Sequence, residues 1–195
     1  DAKVGDWVVT PRIGKPVEIN ALWYRALKLM DTWSAQADRY STRYADLAAR
    51  VRISFDRYWY AEGRYLYDVL DSPGGNDSSL RPNQLFALSL ANDLVPVERA
   101  KSILANVARY LLTPLGLRSL SPHDPNYSAL FRGDQHTRDA AYHQGVVWGW
   151  LIGAYADAYL QIYGDRKIAA IDFAVASELL APFKAHLAEA GVGSI

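Results

Sequence analysis

The segment RIGKPVEINALWY, residues 12–24, has the pattern of a helix that begins near a proline and continues into an apolar run. Pro16 suits a first helical turn, because proline lacks an N–H that this turn would leave unbonded. Glu18 and Asn20 stand inside a run that is otherwise apolar enough to be buried. A buried carboxylate needs a partner or a role in a site. The segment therefore predicts an interior helix whose start carries functional polar side chains.

Two further segments repeat this arrangement. Arg81 to Gln84 (RPNQ) precedes the apolar run 85–91, and Tyr142 to Gly145 (YHQG) precedes the apolar run 146–163. Apolar residues on nearly all sides are typical of a helix that is covered on every side. Together with residues 17–31, these runs are three predicted inner helices.

Amphipathic segments alternate with the apolar runs. Apolar residues recur at spacings of three and four in residues 38–58, 97–111 and 167–187, which predicts helices with one solvated face. Pro182 is expected to kink or interrupt the last of these. Short polar connections would pair each inner helix with an outer one as an antiparallel hairpin. The predicted fold class is all-α, with an inner and an outer layer.

Two regions between the predicted hairpins have other patterns. Residues 60–70 alternate well enough for a short strand or hairpin, and residues 71–77 are rich in turn formers. Residues 113–144 are long and irregular, and loops of that length in a compact domain are usually functional or disordered. The large apolar side chains within residues 113–144 favour an ordered loop there.

Composition argues against several kinds of partner. The 195 residues include 21 basic and 21 acidic side chains, so no net charge attracts nucleic acid over long distances. There is no cysteine and the four histidines are far apart in sequence, so we expect no metal, no cofactor and no disulfide. The longest apolar stretch falls well short of the roughly 20 residues that cross a bilayer. A cytoplasmic protein with no membrane partner is predicted.

The three polar clusters are expected to meet at one rim. Successive inner helices should run in the same direction, so their starts, with free amides and positive dipole ends, should lie together. Taken alone, Glu18 could simply cap the backbone N–H groups of the first helical turn and offset the helix dipole. His143 alone could be a structural histidine. Paired hydrogen-bonding groups beside tryptophans suit a neutral polyol such as a sugar. The clustered side chains are Glu18, Asn20, Arg81, Asn83, Gln84, His143 and Gln144.

Four strings in the same order resemble the amylo-alpha-1,6-glucosidase domain of glycogen debranching enzymes. They are TPRIGKPVEINALWY, RPNQLFALSL, LLTPLGLRSLSPHDPNY and RDAAYHQGVVWGWLIG. The resemblance implies an (α/α)6 barrel of six inner and six outer helices. Three hairpins would form about half of this six-hairpin toroid, so residues 1–195 are interpreted as one segment of a single catalytic barrel, truncated at both ends. The remainder of the barrel is then an expected partner.

The resemblance also implies an activity. It indicates a glycoside hydrolase that releases α-1,6-linked glucose from branched α-glucan or malto-oligosaccharide by inversion, using two carboxyl groups. Asp1 would match the general acid and the general base would lie beyond Ile195, so the segment is expected to be inactive alone. Glu18 is the second catalytic candidate; it would accept hydroxyl hydrogen bonds or assist the acid. The implied substrate-binding residues are Arg12, Lys15, Asn20, Trp23, Arg81, Asn83, Gln84, His143, Gln144 and Trp148.

Two alternatives stay open. A non-catalytic helical toroid could bind oligosaccharide or another protein through the same rim. An α-toroid glycosidase could instead have trehalase-like or glucoamylase-like specificity, which a fold does not determine. Half a barrel would also leave inner-helix faces open, so poor solubility or association is expected for the segment alone.

Overall fold

The computed structural model describes residues 3–37, 41–164 and 169–189. Within these ranges there are seven α-helices and ten short strands. The helices are α1 (Val17–Gln36), α2 (Thr42–Phe55), α3 (Leu85–Ser89), α4 (Val97–Tyr110), α5 (Gln135–Ala141), α6 (Leu151–Tyr163) and α7 (Ala169–Glu189). The strands are β1 (Lys3–Val4), β2 (Trp7–Val8), β3 (Lys15–Pro16), β4 (Trp59–Tyr60), β5 (Tyr65–Leu66), β6 (Val69–Ser72), β7 (Gly75–Asp77), β8 (Leu112–Thr113), β9 (Gly116–Arg118) and β10 (Val147–Trp148).

The helices form an inner and an outer layer. Helix α1 packs against α3, and α3 packs against α6, so these three inner helices are neighbours. Helix α2 packs on α1, while α4 and α7 pack on α6. The buried residues of α4 include Leu104 and Val107, which the predicted spacing of three and four places on one face. Burying each such side chain contributes roughly 1.5 to 3 kcal/mol to the driving force for folding.

The fold is mainly helical, but the all-α prediction is not accurate. Four small antiparallel sheets contain the ten strands of the described residues: β1–β2, β4–β5, β3–β6–β7 and β8–β9–β10. The hairpin predicted in residues 60–70 is confirmed as β4–β5. The turn-rich residues 71–77 contain the end of β6, the turn after it and all of β7. The pairings β3–β6 and β9–β10 join segments distant in sequence, which helical periodicity alone does not reveal, whereas β1–β2 and β8–β9 are short local hairpins that the sequence patterns did not predict.

Two of the predicted inner helices are shorter than their apolar runs. Only five residues of the run 85–91 form α3, after a 3-10 turn at Pro82–Gln84. In the run 146–163, Val147 and Trp148 form β10, and α6 begins at Leu151. The backbone of β10 pairs with β9, so tertiary pairing overrides helix formation there. Helix α7 continues through Pro182, so this proline does not end the helix.

Helix α1 is not covered on every side. Its buried residues, Val17, Ala21, Tyr24 and Leu27, lie on one face. The opposite face is apolar but exposed, because none of the described elements packs there; it carries Ile19, Leu22, Trp23, Met30 and Trp33. The long helices described here lack the sustained apolar length that a membrane span requires.

The sheet β3–β6–β7 places the start of α1. Lys15 pairs with Leu70 and Pro16 with Val69. Gly14, which precedes β3, has a φ of 132°, and a Cβ there would lie 2.4 Å from the Leu70 carbonyl oxygen. Only glycine allows this close approach without strain. The chain before α1 is therefore held against β6, and this contact fixes where Arg12 and Glu18 lie.

Candidate functional site

The starts of the three inner helices open into one cavity of about 560 Å³. Helix α1 contributes Glu18, the turn before α3 contributes Arg81 and Asn83, and the segment before α6 contributes Gln144 and Trp148. This volume lies within the range of roughly 300 to 1,000 Å³ that is typical of small-molecule sites. Each of the three polar clusters that the sequence predicted at one rim therefore contributes side chains to one cavity, although Asn20 and Gln84 do not line it.

Arg12 connects the cavity wall to the protein interior. Its Nη1 and Nη2 donate to Oε1 and Oε2 of Glu18 at 2.6 and 3.0 Å, and its Nε donates to Oδ2 of Asp68 at 2.8 Å. Burial alone would lower the pKa of Arg12, but the bonds to Glu18 and the charge of Asp68 raise that pKa above its ordinary value. Arg12 therefore stays charged and holds two carboxylates in place.

Asp68 is the buried carboxylate beneath the cavity, with 2% of its surface exposed. Besides Arg12, its partners are Asn83, whose Nδ2 donates to Oδ1 at 2.8 Å, and Arg81, whose Nε lies 3.8 Å from Oδ2. Burial raises the pKa of Asp68, while the charges of Arg12 and Arg81 and the bond from Asn83 oppose that rise. The carbonyl oxygen of Asp68 also accepts from the N–H of Val17, the first residue of α1.

Our sequence-based candidates did not include Asp68. It stands in the alternating run 65–70, where Tyr65, Leu66, Val69 and Leu70 read as strand residues. A carboxylate inside such a run raises the same question as Glu18 inside the run 17–31, and this is the signal that could have found it.

Arg81 joins the start of α3 to the segment before β10. Its Nη1 donates to the carbonyl oxygens of Ser119 and His143 at 3.1 and 2.6 Å, and its Nη2 donates to Oε1 of Gln144 at 2.8 Å. Most of its hydrogen-bonding capacity is used inside the protein, so Arg81 mainly organises the cavity. Because Oε1 of Gln144 accepts from Arg81, its NH₂ group is the end of this side chain that could donate to a ligand.

The segment that carries His143 and Gln144 is fixed by Gly145. Gly145 has a φ of 142°, and a Cβ there would lie 2.5 Å from the Ser128 carbonyl oxygen and 2.6 Å from the Tyr127 ring. Its N–H donates to Oγ of Ser119 at 2.9 Å. A glycine is therefore required for the segment to lie this close to the preceding loop.

His143 and Trp148 form the aromatic part of the cavity wall. Their rings are nearly parallel, with centroids 6.0 Å apart. Burial, followed by the charges of Arg81 and Arg12, lowers the pKa of His143. At neutral pH the imidazole is therefore uncharged, with one donor and one acceptor nitrogen, which suits contacts with hydroxyl groups.

The lowered pKa of His143 predicts a pH dependence of stability. The unfolded chain binds a proton to this side chain more readily than the folded protein does, so acid favours unfolding. We expect stability to fall as the pH decreases below about 6.5, the ordinary pKa of histidine, and a His143→Gln variant to lose less stability there. Denaturant unfolding of both proteins at several pH values measures this, and parallel curves would contradict it.

Four residues predicted to bind substrate lie outside the cavity lining: Lys15, Asn20, Trp23 and Gln84. Nζ of Lys15 donates to Asp71 at 2.5 Å, on the exposed side of the β3–β6–β7 sheet. Nδ2 of Asn20 donates to the carbonyl oxygen of Pro16 at 2.8 Å, one turn back along the chain. Both side chains thus have local partners.

Gln84 and Trp23 lie outside the cavity lining for different reasons. Gln84 is buried; its Oε1 accepts from the N–H of Leu66 at 3.0 Å, and its Nε2 donates to the carbonyl oxygen of Arg81 at 3.1 Å. It therefore joins the β4–β5 hairpin to α3. Trp23 lies on the exposed apolar face of α1.

Asp1, the predicted general acid, lies outside the described residues. The cavity lining also includes residues that the sequence did not single out, namely Asp77 and Ser119. Among residues 3–37, 41–164 and 169–189, the His, Asp and Glu side chains form no group of three or more that could hold a metal ion.

Comparison with known proteins identifies related sequences. The chain matches, over residues 1–195, the family described as amylo-alpha-1,6-glucosidase. A glycogen debranching enzyme from Saccharomyces cerevisiae is 34% identical over 192 residues, an alignment that covers 77% of this chain and 12% of the yeast protein. The chain thus spans a small part of that relative's length.

A solved structure shares the fold. It is the GH63 mannosylglycerate hydrolase from Thermus thermophilus, crystallised in complex with Tris. The TM-score is 0.62 at 17% sequence identity, and the likeness covers 88% of this chain and 37% of the other. At that identity the comparison establishes the likeness of fold.

Proposed function

This chain belongs to the amylo-alpha-1,6-glucosidase family, and we propose that its cavity binds glucose in a glycoside hydrolase acting on α-1,6 branches of glycogen or limit dextrin. The observation that carries the proposal is the convergence of Glu18, Asn83, His143 and Gln144 beside Trp148 in one cavity. Carboxylate, amide and imidazole groups pair with hydroxyls, while an indole ring packs against the apolar face of a sugar.

Glu18 is proposed to bind substrate hydroxyls. Both of its oxygens accept from Arg12, so the carboxylate is held in a fixed orientation at the cavity wall. Each oxygen keeps a further lone pair for a hydroxyl donor. Both oxygens already act as acceptors and can accept further hydrogen bonds from hydroxyls, so of the two roles that the sequence left open we favour binding.

Proton donation is proposed for Asp1, on the family resemblance alone. In an inverting reaction the acid protonates the glycosidic oxygen as its bond to the anomeric carbon breaks. A second carboxylate takes a proton from the water that attacks the opposite face of that carbon, so the two carboxyl groups stand roughly 6.5 to 9.5 Å apart. Inversion of an α-linkage gives β-glucose as the first product.

We also propose that residues 1–195 form part of an (α/α)6 barrel and that further helices of such a barrel cover the exposed face of α1. The neighbouring inner helices α1, α3 and α6, with their starts at one cavity, support this arrangement. The apolar side chains of α1 that no described element covers support it as well.

The proposed reaction is tested by following glucose release from a branched maltodextrin by proton NMR, using the full-length protein. We expect the β-anomer to accumulate first and then to mutarotate. Initial α-glucose would contradict inversion. Binding of the dextrin without any glucose release would contradict hydrolysis and favour the non-catalytic binding module.

A further inference from the structure

We propose that Phe131 and Tyr142 form an aromatic track that binds the glucan chain attached to the sugar in the cavity. The inference rests on the proposed function, because it extends the same site from one sugar to the polymer that carries it. Its occupant is an α-glucan chain, held by the apolar faces of its sugar rings.

The track begins at the cavity wall. The ring of Tyr142 meets the ring of Trp148 edge-on at 4.8 Å, and the ring of Phe131 lies 5.6 Å from that of Tyr142. Trp148 lines the cavity, so the three rings are in continuous contact from the cavity to the surface. Phe131 is 48% exposed and Tyr142 is 41% exposed, which leaves aromatic surface open to a ligand.

The loop that carries Phe131 is ordered on both sides. Before it, the N–H of Ser128 donates to the carbonyl oxygen of Gln144 at 2.6 Å, which ties the loop to the cavity wall. After it, Asp134 caps α5 by accepting from the N–H of Thr137, and Arg138 donates to the carbonyl oxygen of Gly133 at 2.6 Å. The exposed ring is thus presented at a fixed place relative to Trp148.

A glucan fits this surface better than a protein partner does. Sugar rings have an apolar face for aromatic contact and hydroxyl edges that can stay in water, so two rings in a row suffice for a useful contact. A stable protein interface generally buries more than about 1,000 Å² in total, which two side chains do not provide. A branched substrate whose terminal sugar occupies the cavity must also continue past the cavity opening.

The test compares a long and a short substrate. We expect Phe131→Ala, in the full-length protein, to raise the KM for glycogen limit dextrin about threefold to tenfold relative to the KM for a short branched oligosaccharide. Phe131→Tyr should restore the wild-type KM ratio, because it keeps the ring. Tyr163→Ala, which removes an aromatic side chain of equal exposure at the end of α6, is the matched control and should leave the ratio unchanged.

A KM ratio that Phe131→Ala does not change would overturn the proposal, and so would failure of Phe131→Tyr to restore it. If wild-type protein releases no glucose, the proposed function fails, and affinity electrophoresis in glycogen then tests the track separately. Weaker retardation of Phe131→Ala than of wild type and Tyr163→Ala supports the track. Equal retardation of all three proteins rejects it.

Discussion

Replacing Asp68 with asparagine is expected to lower the free energy of unfolding by about 3 kcal/mol, the order seen when one partner of a buried ion pair is removed. The substitution removes the negative charge that lies between Arg12 and Arg81. It also places the amide NH₂ against one of two donors, either Nε of Arg12 or Nδ2 of Asn83, because only one of the two oxygen positions can remain an acceptor. The positive charges would then be partly buried without their common partner.

The matched control is Asp71→Asn, three residues further along and within β6. Asp71 also pairs with two cations, Lys15 and Arg57, but these pairs are at the surface. Surface ion pairs contribute little, because water and salt screen them. Denaturant unfolding of both variants measures the difference, and equal stabilities would show that Asp68 does not hold the cavity wall together.

The sequence predicted a helix well where its apolar residues recur on one face, because that face is the one that becomes buried. Helix α4 is such a case, because its buried residues follow the predicted spacing. The start of α6 was not predictable in this way, since Val147 and Trp148 are apolar in either state and only pairing with β9 makes them a strand. The sequence likewise could not predict that one apolar face of α1 is exposed, because an apolar residue does not indicate which element covers it.

The candidate site was predictable in part for a related reason. Glu18, Asn83, His143 and Gln144 each precede or begin an inner helix, and these helix starts open into one cavity. Asp68 reaches the same place through the β3–β6 pairing, a contact between segments more than fifty residues apart. Gln84 shares the sequence context of Asn83, but one residue of helical rotation turns it into the core, where it bonds Leu66.

Replacing Glu18 with glutamine is expected to reduce kcat/KM for branched dextrin by about tenfold to a hundredfold. Hydrogen bonds to a charged group are worth about 1.5 to 3 kcal/mol, and each 1.4 kcal/mol corresponds to a factor of ten. The amide cannot accept from Arg12 at both of its positions, so the side chain should lose its fixed orientation as well as its charge. Glu98→Gln is the control, because Glu98 pairs with Lys101 at the surface of α4.

The pH profile of the Glu18→Gln variant separates the two roles left open for this residue. If Glu18 binds hydroxyls, kcat/KM falls at every pH and the shape of the profile is kept, because the proton donor is another group. If Glu18 itself donates the proton, the limb of the profile that reports the acid disappears, and the loss reaches about a hundredfold to ten-thousandfold. Because Arg12 already pairs with the Glu18 carboxylate, we expect the first result. A variant with the wild-type kcat/KM would exclude both roles.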